Sequence, residues 1–262
     1  AARFGRQTAF LGKVGDDMHG QFLRQTLRDA GIDVSGLVMA EDVFTTLAFV
    51  ALNENGERSF SFARKPGADT CLRPEELNAA VLDSCRVLHV GSLSLTDEPA
   101  RSATFAAVER AKAAGAVISY DPNYRAALWP DAETAARHMR RMVPYADVMK
   151  LSDEETALLT DESDPAAAAA VLLSRGVKCA AVTLGAAGAF GATASGMRAV
   201  PGFAVNAVDT TGAGDAFWGG FLHRMLALGK APEELTVDDA AVCARWGNAT
   251  AAVCVTRRGA IP

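Results

Sequence analysis

The chain lacks most of the devices that would place it quickly. Its five cysteines, Cys71, Cys85, Cys179, Cys243 and Cys254, are odd in number and scattered, with no C-x-x-C pair. That excludes a disulfide framework and a thiolate zinc site, and it fits a reducing compartment, so a cytoplasmic location is the expectation. The four histidines, His19, His89, His138 and His223, have no metal-ligand spacing. No basic run exceeds Arg257-Arg258 and the net charge is −5, so a nucleic-acid face is excluded. No uninterrupted apolar run reaches membrane-spanning length, and no signal peptide opens the chain. Two familiar phosphate-binding signatures are also missing: there is no G-x-x-x-x-G-K-[ST], and no complete G-x-G-x-x-G. The chain starts without Met, at Ala1-Ala2-Arg3-Phe4-Gly5, and stops at Gly259-Ala260-Ile261-Pro262. The expectation is a longer protein whose two ends lie outside this sequence.

What is present is a long, apolar chain with a clear rhythm. Its 262 residues are 50% hydrophobic, enough for one large domain with a buried core. Residues 8–12 are β-prone. Residues 17–30 carry Phe22, Leu23, Leu27 and Ala30 at helical spacing, with Gly31 as a stop. Strand-like runs follow at 37–39, 45–52 and 57–62, the last two separated by Asn55-Gly56, a hairpin signal. This stretch reads as a small antiparallel β lid over about 34–66.

From Pro74 helices and short apolar strands alternate. Helices are expected at 74–82, 99–114, 132–143, 153–159 and 165–175, and strands at 87–90, 116–121, 148–151 and 179–184. That alternation predicts a parallel sheet covered on both faces. A hairpin at 190–193 and 197–200, a strand at 204–208 and long helices at 213–228 and 237–253 complete the pattern. The reading is one α/β domain over 1–262 carrying the lid.

The most specific segment is Asp209-Thr210-Thr211-Gly212-Ala213-Gly214-Asp215-Ala216-Phe217. Two glycines let the backbone turn tightly where a helix begins, and successive N–H groups there form an anion site. An acid inside an anion site makes sense if Asp215 accepts a proton beside a transferring phosphoryl group. Such general-base help is worth roughly 10²–10⁴-fold, and the amides of Ala213 and Gly214 would stabilise developing charge. The alternative is a plain strand–turn–helix junction with Asp215 interacting with the helix dipole.

This segment resembles the signature of the ribokinase-like (PfkB) carbohydrate kinases. The resemblance runs along the whole chain: Gly15-Asp16-Asp17, Asp121-Pro122-Asn123-Tyr124-Arg125, Lys150-Leu151-Ser152-Asp153-Glu154-Glu155, Thr183-Leu184-Gly185-Ala186-Ala187-Gly188, and Asn248 through Ala260. It implies a Rossmann-like, three-layer ribokinase-like fold with a small β-sheet lid, using ATP and Mg²⁺. Carried over by position, Asp215 would be the base, with Gly212, Ala213 and Gly214 as the anion hole and Arg125 between donor and acceptor. Glu155 would organise Mg²⁺ through water, since magnesium keeps most of its water shell.

On the nucleotide side the resemblance implies Lys150, Ser152, Thr183, Gly185, Gly188 and Asn248, Ser152 standing where the family usually has Asn. Backbone carbonyls of Asp209, Thr211, Cys254, Arg257 and Gly259 match positions that hold a monovalent cation, potassium, in some members. Taken alone, Gly185 and Gly188 read equally as a hairpin turn and Arg125 as a surface arginine.

Residues 44–50, 60–66 and 91–94 look most like the fructokinase branch, which implies D-fructose as acceptor and fructose 6-phosphate as product. Phe62, Arg64, Ser92 and Asn123 are then the substrate candidates, Phe62 and Arg64 also reading as an exposed strand end. 2-Keto-3-deoxygluconate, whose carboxylate would suit a lid arginine, and ribose are the alternative acceptors. A reading of another class is a sugar- or nucleotide-binding regulator that kept the fold and lost the chemistry. Intact Asp215 and Glu155 count against it, and the broken dinucleotide fingerprint counts against an NAD enzyme. Partners expected are a small sugar, no nucleic acid and no membrane, with a homodimer through the lid edges suggested by the tendency of edge strands to pair.

Overall fold

The computed structural model describes residues 1–52 and 58–259. In chain order these form β1 (Ala9–Gly15), α1 (Met18–Asp29), β2 (Asp33–Ala40), β3 (Leu47–Leu52), β4 (Arg58–Ala63), α2 (Ala79–Ser84), β5 (Val87–Gly91) and α3 (Ala100–Ala113). Next come β6 (Val117–Asp121), α4 (Ala132–Met142), β7 (Val148–Ser152), α5 (Asp153–Thr160), α6 (Pro165–Ser174), β8 (Cys179–Thr183), β9 (Gly188–Thr193), β10 (Gly196–Pro201), α7 (Ala213–Leu228) and α8 (Val237–Val255). Two compact units result. One holds Ala1, Val117–Asn123 and the chain from Met139 onward; the other holds Ala2–Ala116 and Tyr124–His138.

In the unit that begins at Ala2, β1 and β2 pair in parallel, with α1 as the crossover that parallel strands require. Asp17 starts α1: its carboxylate accepts the amides of His19, Gly20 and Thr45 and the Thr45 hydroxyl. β3 and β4 form a separate antiparallel pair, Leu47 opposite Ala63 and Leu52 opposite Arg58. The expected lid is therefore narrower than 34–66, because β2 belongs with β1. The expected Asn55-Gly56 turn lies outside the described residues. α3 buries Ala100, Ala103, Thr104, Ala107, Val108 and Ala111, the spacing of one helical face. The helix expected from Pro74 breaks instead: Pro74–Glu76 is one 3₁₀ turn, and α2 restarts where Asn78 accepts the Val81 amide.

In the other unit the strand order is β10-β9-β8-β7-β6, with β6, β7 and β8 parallel and β9 and β10 antiparallel. Ser119 lies opposite Val148, Val148 opposite Cys179, and Ala181 opposite Gly191. Because side chains alternate, Ser119, Asp121, Lys150, Ser152, Ala181, Thr183 and Gly191 share one face. That face is covered by α7, whose Trp218 donates to Ser119 Oγ at 2.8 Å, and by α8, whose Ala240 packs on Gly191.

On the other face Tyr120 donates its hydroxyl to Met139 O in α4, and α5 and α6 pack against β7, β8 and β9. β6 to β8 are accordingly largely buried on both sides, and the face under α7 carries the polar Ser119, Asp121, Lys150, Ser152 and Thr183. Residues 204–208, expected as a strand, are irregular and exposed, with Val205 43% and Val208 59% accessible. Val208 is held by one amide bond to Val255 O, not by a ladder. No helix among the described residues is long and apolar enough to cross a membrane.

Candidate active site

Ligands in open α/β sheets collect at the carboxyl ends of the strands. Here those ends present Asp121 from β6, Lys150 and Ser152 from β7 and Thr183 from β8, all on the face that α7 covers. The register places Lys150 one rung beyond the Tyr120–Met149 pair, beside Asp121, and the two make an ion pair at 2.8 Å. Both side chains are nearly sealed, at 5% and 4% exposure. Asp121 spends its second oxygen on the Asn123 amide at 3.1 Å, which fixes the turn where Asn123 adopts φ 48°. Burial pushes the Asp121 carboxyl up to about 6; Lys150 pulls it down, while Glu155 and Asp215 add to the rise.

α7 opens on Gly212, which takes the left-handed φ of 78° and supplies no side-chain cap. The Ala213 amide returns to Thr210 O and the Ala216 amide to Gly212 O. Among the described residues, the amides of Gly214 and Asp215 have no backbone acceptor, which leaves two helix-start donors able to meet an anion or water. A methyl placed on Gly214 would come 3.3 Å from Lys150 Nζ, so glycine lets the ammonium lie directly against this turn. Asp215 stands exposed on the first turn of α7.

The segment before the turn is tied to the chain's end. Asp209 accepts the Thr211 amide and hydroxyl on one oxygen and the Gly259 amide on the other, while Val255 O takes the amides of Val208 and Asp209. Cys254 Sγ lies 3.8 Å from Thr211 O. Burial pushes the Cys254 thiol up, and the Asp215 and Asp209 carboxylates push it further. Asp209, Thr211, Cys254 and Gly259 are thus gathered around one loop, and Arg257 follows on the exposed side with its amide on Cys254 O.

Glu155 closes a capping box at the start of α5, its Oε2 accepting the Ser152 amide at 2.8 Å, and it is 5% exposed. No group of three or more His, Cys, Asp or Glu side chains among the described residues could cage a metal. Thr183 donates to Leu151 O at 3.2 Å. Gly188 is required by packing: with φ 110°, a methyl there would lie 2.2 Å from Val200 O. Gly185, φ 55°, is exposed and open. Asn248 is buried and donates both amide hydrogens, to Val200 O and Pro201 O at 3.1 Å each, so it anchors the end of β10.

In the other unit the Arg64 side chain is 7% exposed and heavily committed. Nε donates to Asp69 Oδ2 at 2.7 Å, one terminal nitrogen to Thr96 Oγ1 at 2.8 Å, and the other to Leu93 O at 2.8 Å. It therefore clamps the end of β4 to the turn that follows β5. In that turn Ser92 is fully buried, and its Oγ has no partner among the described residues. Ser94 donates to Gly91 O and accepts from Thr104. Phe62 is half-buried on β4 opposite Ala48. Arg125 is exposed and donates to Tyr124 O at 2.9 Å.

Sequence reasoning missed two features: the pairing of Lys150 with Asp121, and the Trp218–Ser119 bond that sets α7 on the sheet. The first was readable only with the β6–β7 register in hand. The second spans 99 residues and has no local signal.

An exposed carboxylate beside two helix-start amides that have no acceptor among the described residues suits an enzyme that transfers a phosphoryl group, a kinase. The sequence profile of pfkB family carbohydrate kinases matches residues 1–262, and the chain belongs to that family. It is 42% identical over 263 residues to fructokinase-1 of Zea mays, covering 100% of this chain and 80% of the relative. Against probable fructokinase-4 of Arabidopsis thaliana it is 43% identical over 272 residues, again covering 100% and 80%. Among solved structures, the fructokinase of Xylella fastidiosa with bound ATP superposes with a TM-score of 0.90 at 36% identity, covering 99% of this chain and 82% of that one. The fructokinase of Vibrio cholerae O395 bound to fructose, ADP and calcium ion gives 0.86 at 36% identity, covering 99% and 83%.

Proposed function

We propose that the protein transfers the γ-phosphoryl group of ATP to a hydroxyl of D-fructose, giving fructose 6-phosphate, with Asp215 as the base. The observation that carries the chemistry is the first turn of α7: an exposed carboxylate, two amides without acceptors among the described residues, and a buried ammonium against Gly214. The similarity to plant and bacterial fructokinases supports the choice of acceptor. Asp215 accepts the proton of the attacking hydroxyl, and the Gly214 and Asp215 amides receive charge on the transferring group.

The donor set suits Mg²⁺ held mostly by water and phosphate. Glu155 is one carboxylate with one oxygen already accepting a protein amide, which fits an outer-sphere role better than a protein cage. Mg²⁺ would supply neutralisation of phosphate charge there. The loop around Asp209, Thr211, Cys254 and Gly259 is the corresponding candidate for potassium. The one feature that suited 2-keto-3-deoxygluconate, a lid arginine for its carboxylate, has its guanidinium spent on Asp69, Thr96 and Leu93.

The test is a coupled ADP-release assay on the protein with fructose, 2-keto-3-deoxygluconate and ribose in parallel, with Mg²⁺ present or chelated and with K⁺ or Na⁺. The expected result is a kcat/KM for fructose at least about tenfold above the others, lost on chelation. Preference for another sugar would move the acceptor and leave the reaction standing. No turnover with any sugar, in folded protein, would favour the binding-regulator reading.

A further inference from the structure

The Lys150–Asp121 pair holds more donor capacity than its own geometry uses. An ammonium has three N–H donors. Among the described residues Lys150 spends one, on Asp121 Oδ2 at 2.8 Å, and its side chain is 5% exposed. Two donors are thus left where water has little access, an expensive arrangement if Lys150 only neutralises Asp121.

Their position is informative. Nζ lies against the Gly214 position of the turn whose amides at Gly214 and Asp215 have no acceptor among the described residues. Three sets of donors, from β7 and from two successive backbone N–H groups, converge on the start of one helix. The other group bonded to Asp121, the Asn123 amide, holds the carboxylate so that its second oxygen faces Lys150.

We propose that Lys150 is a catalytic residue of the phosphoryl transfer, donating its two remaining N–H groups to the oxygens of the transferring phosphoryl group, with Asp121 as the positioning residue that aims it. The inference rests on the kinase reading above. In the step, the sugar oxygen forms the new bond to the γ-phosphorus. The bond from that phosphorus to the β–γ bridging oxygen breaks, and its electron pair leaves with ADP. The hydroxyl proton goes to Asp215. Lys150 keeps its own proton throughout and answers the negative charge that gathers on the group in flight. Because the Lys150 side chain is itself nearly sealed from water, its fixed cation is worth more there than in bulk water.

A purely structural role predicts something different. If Lys150 exists to neutralise Asp121, then removing both charges together should restore the enzyme. The experiment compares wild type, Lys150→Met and the double variant Lys150→Met/Asp121→Asn. The double variant avoids an unpaired buried carboxylate and guards against simple misfolding. Steady-state kinetics with fructose should show kcat reduced about 10²–10³-fold in both variants, with KM for fructose changed less than about threefold. Binding is measured alongside, for ADP alone and for ADP with aluminium fluoride and fructose as a mimic of the group in flight. Both variants should bind ADP alone within about threefold of wild type and lose at least about tenfold for the mimic.

A double variant whose kcat returns to within about threefold of wild type would overturn the proposal. So would equal weakening of the two ligand sets. Wild-type protein that turns over no sugar would instead remove the kinase reading itself, a failure visible before any variant is made.

Discussion

Asp215 is a favourable residue to test because so little else depends on it. It is exposed, and among the described residues its carboxylate makes no hydrogen bond or ion pair. Removing its charge therefore disturbs no packing and leaves no partner stranded. Besides its repulsion of the Asp121 carboxylate and the Cys254 thiolate, its structural contribution is a negative charge at a helix N-terminus, worth about 0.3–1 kcal/mol. Asp215→Asn should accordingly stay within about 1 kcal/mol of wild-type stability in chemical denaturation. Its kcat should fall roughly 10²–10⁴-fold, the range for loss of a general base. ATP affinity by calorimetry should hardly change. A large loss of ATP binding would mean that Asp215 holds a metal or the loop, and that the base lies elsewhere. Asp215 could be singled out in the sequence as the proposed base because it sits inside a local, contiguous signature. Arg64 shows the opposite: the sequence placed it on the lid, while its partners, Asp69, Leu93 and Thr96, come from separate turns that only folding brings together.

Among the elements, α7 matters most to the proposed site, since it carries the candidate anion turn at one end. Its bounds, Ala213–Leu228, were readable because Gly212 and Gly229 both take left-handed conformations and bracket an apolar run. Its seat on the sheet was not. Trp218, one turn beyond Asp215, is 2% exposed, stacks on Phe221 at 4.6 Å, and donates to Ser119 Oγ. Ser119 and Asp121 lie on the same face of β6, so one strand aligns both the helix and the Lys150 pair. β2 and residues 204–208 were misjudged for a related reason. Strand propensity in a short apolar run says nothing about which neighbour is available to pair, and residues 204–208 have none among the described residues. The alignment of α7 can be measured with a double-mutant cycle on Trp218→Phe and Ser119→Ala. Each single change should cost about 1–3 kcal/mol by urea unfolding, with a coupling of about 1 kcal/mol between them. A coupling near zero would mean that the indole N–H contributes nothing to seating the helix.

On the scale of the whole molecule, the alternation of helices and apolar strands announced the α/β class, and the family signature announced the kinase. What neither could convey is the electrostatic cost of the site to the folded chain. Asp121 belongs to that cost. Its carboxyl titrates at about 6 in the native protein because burial opposes ionisation more strongly than Lys150 favours it. An unfolded aspartate titrates near 3.9. Between those values the native chain keeps a proton that the unfolded chain has released. Asp121 therefore contributes stability that is fully present below about pH 4, declines as pH rises to about 6 and is gone above it. Asp121→Asn removes this contribution and leaves Lys150 without its carboxylate, which sets a roughly constant offset. Melting temperatures of wild type and variant should thus differ by an amount that shifts in the variant's favour from about pH 4 to about pH 6 and then levels. Scanning both proteins by calorimetry from pH 4 to pH 8 decides the matter. A difference that moves the other way over that window would mean the ion pair outweighs burial, so that Lys150 holds Asp121 ionised and the charge against the anion turn is already balanced before any phosphate arrives.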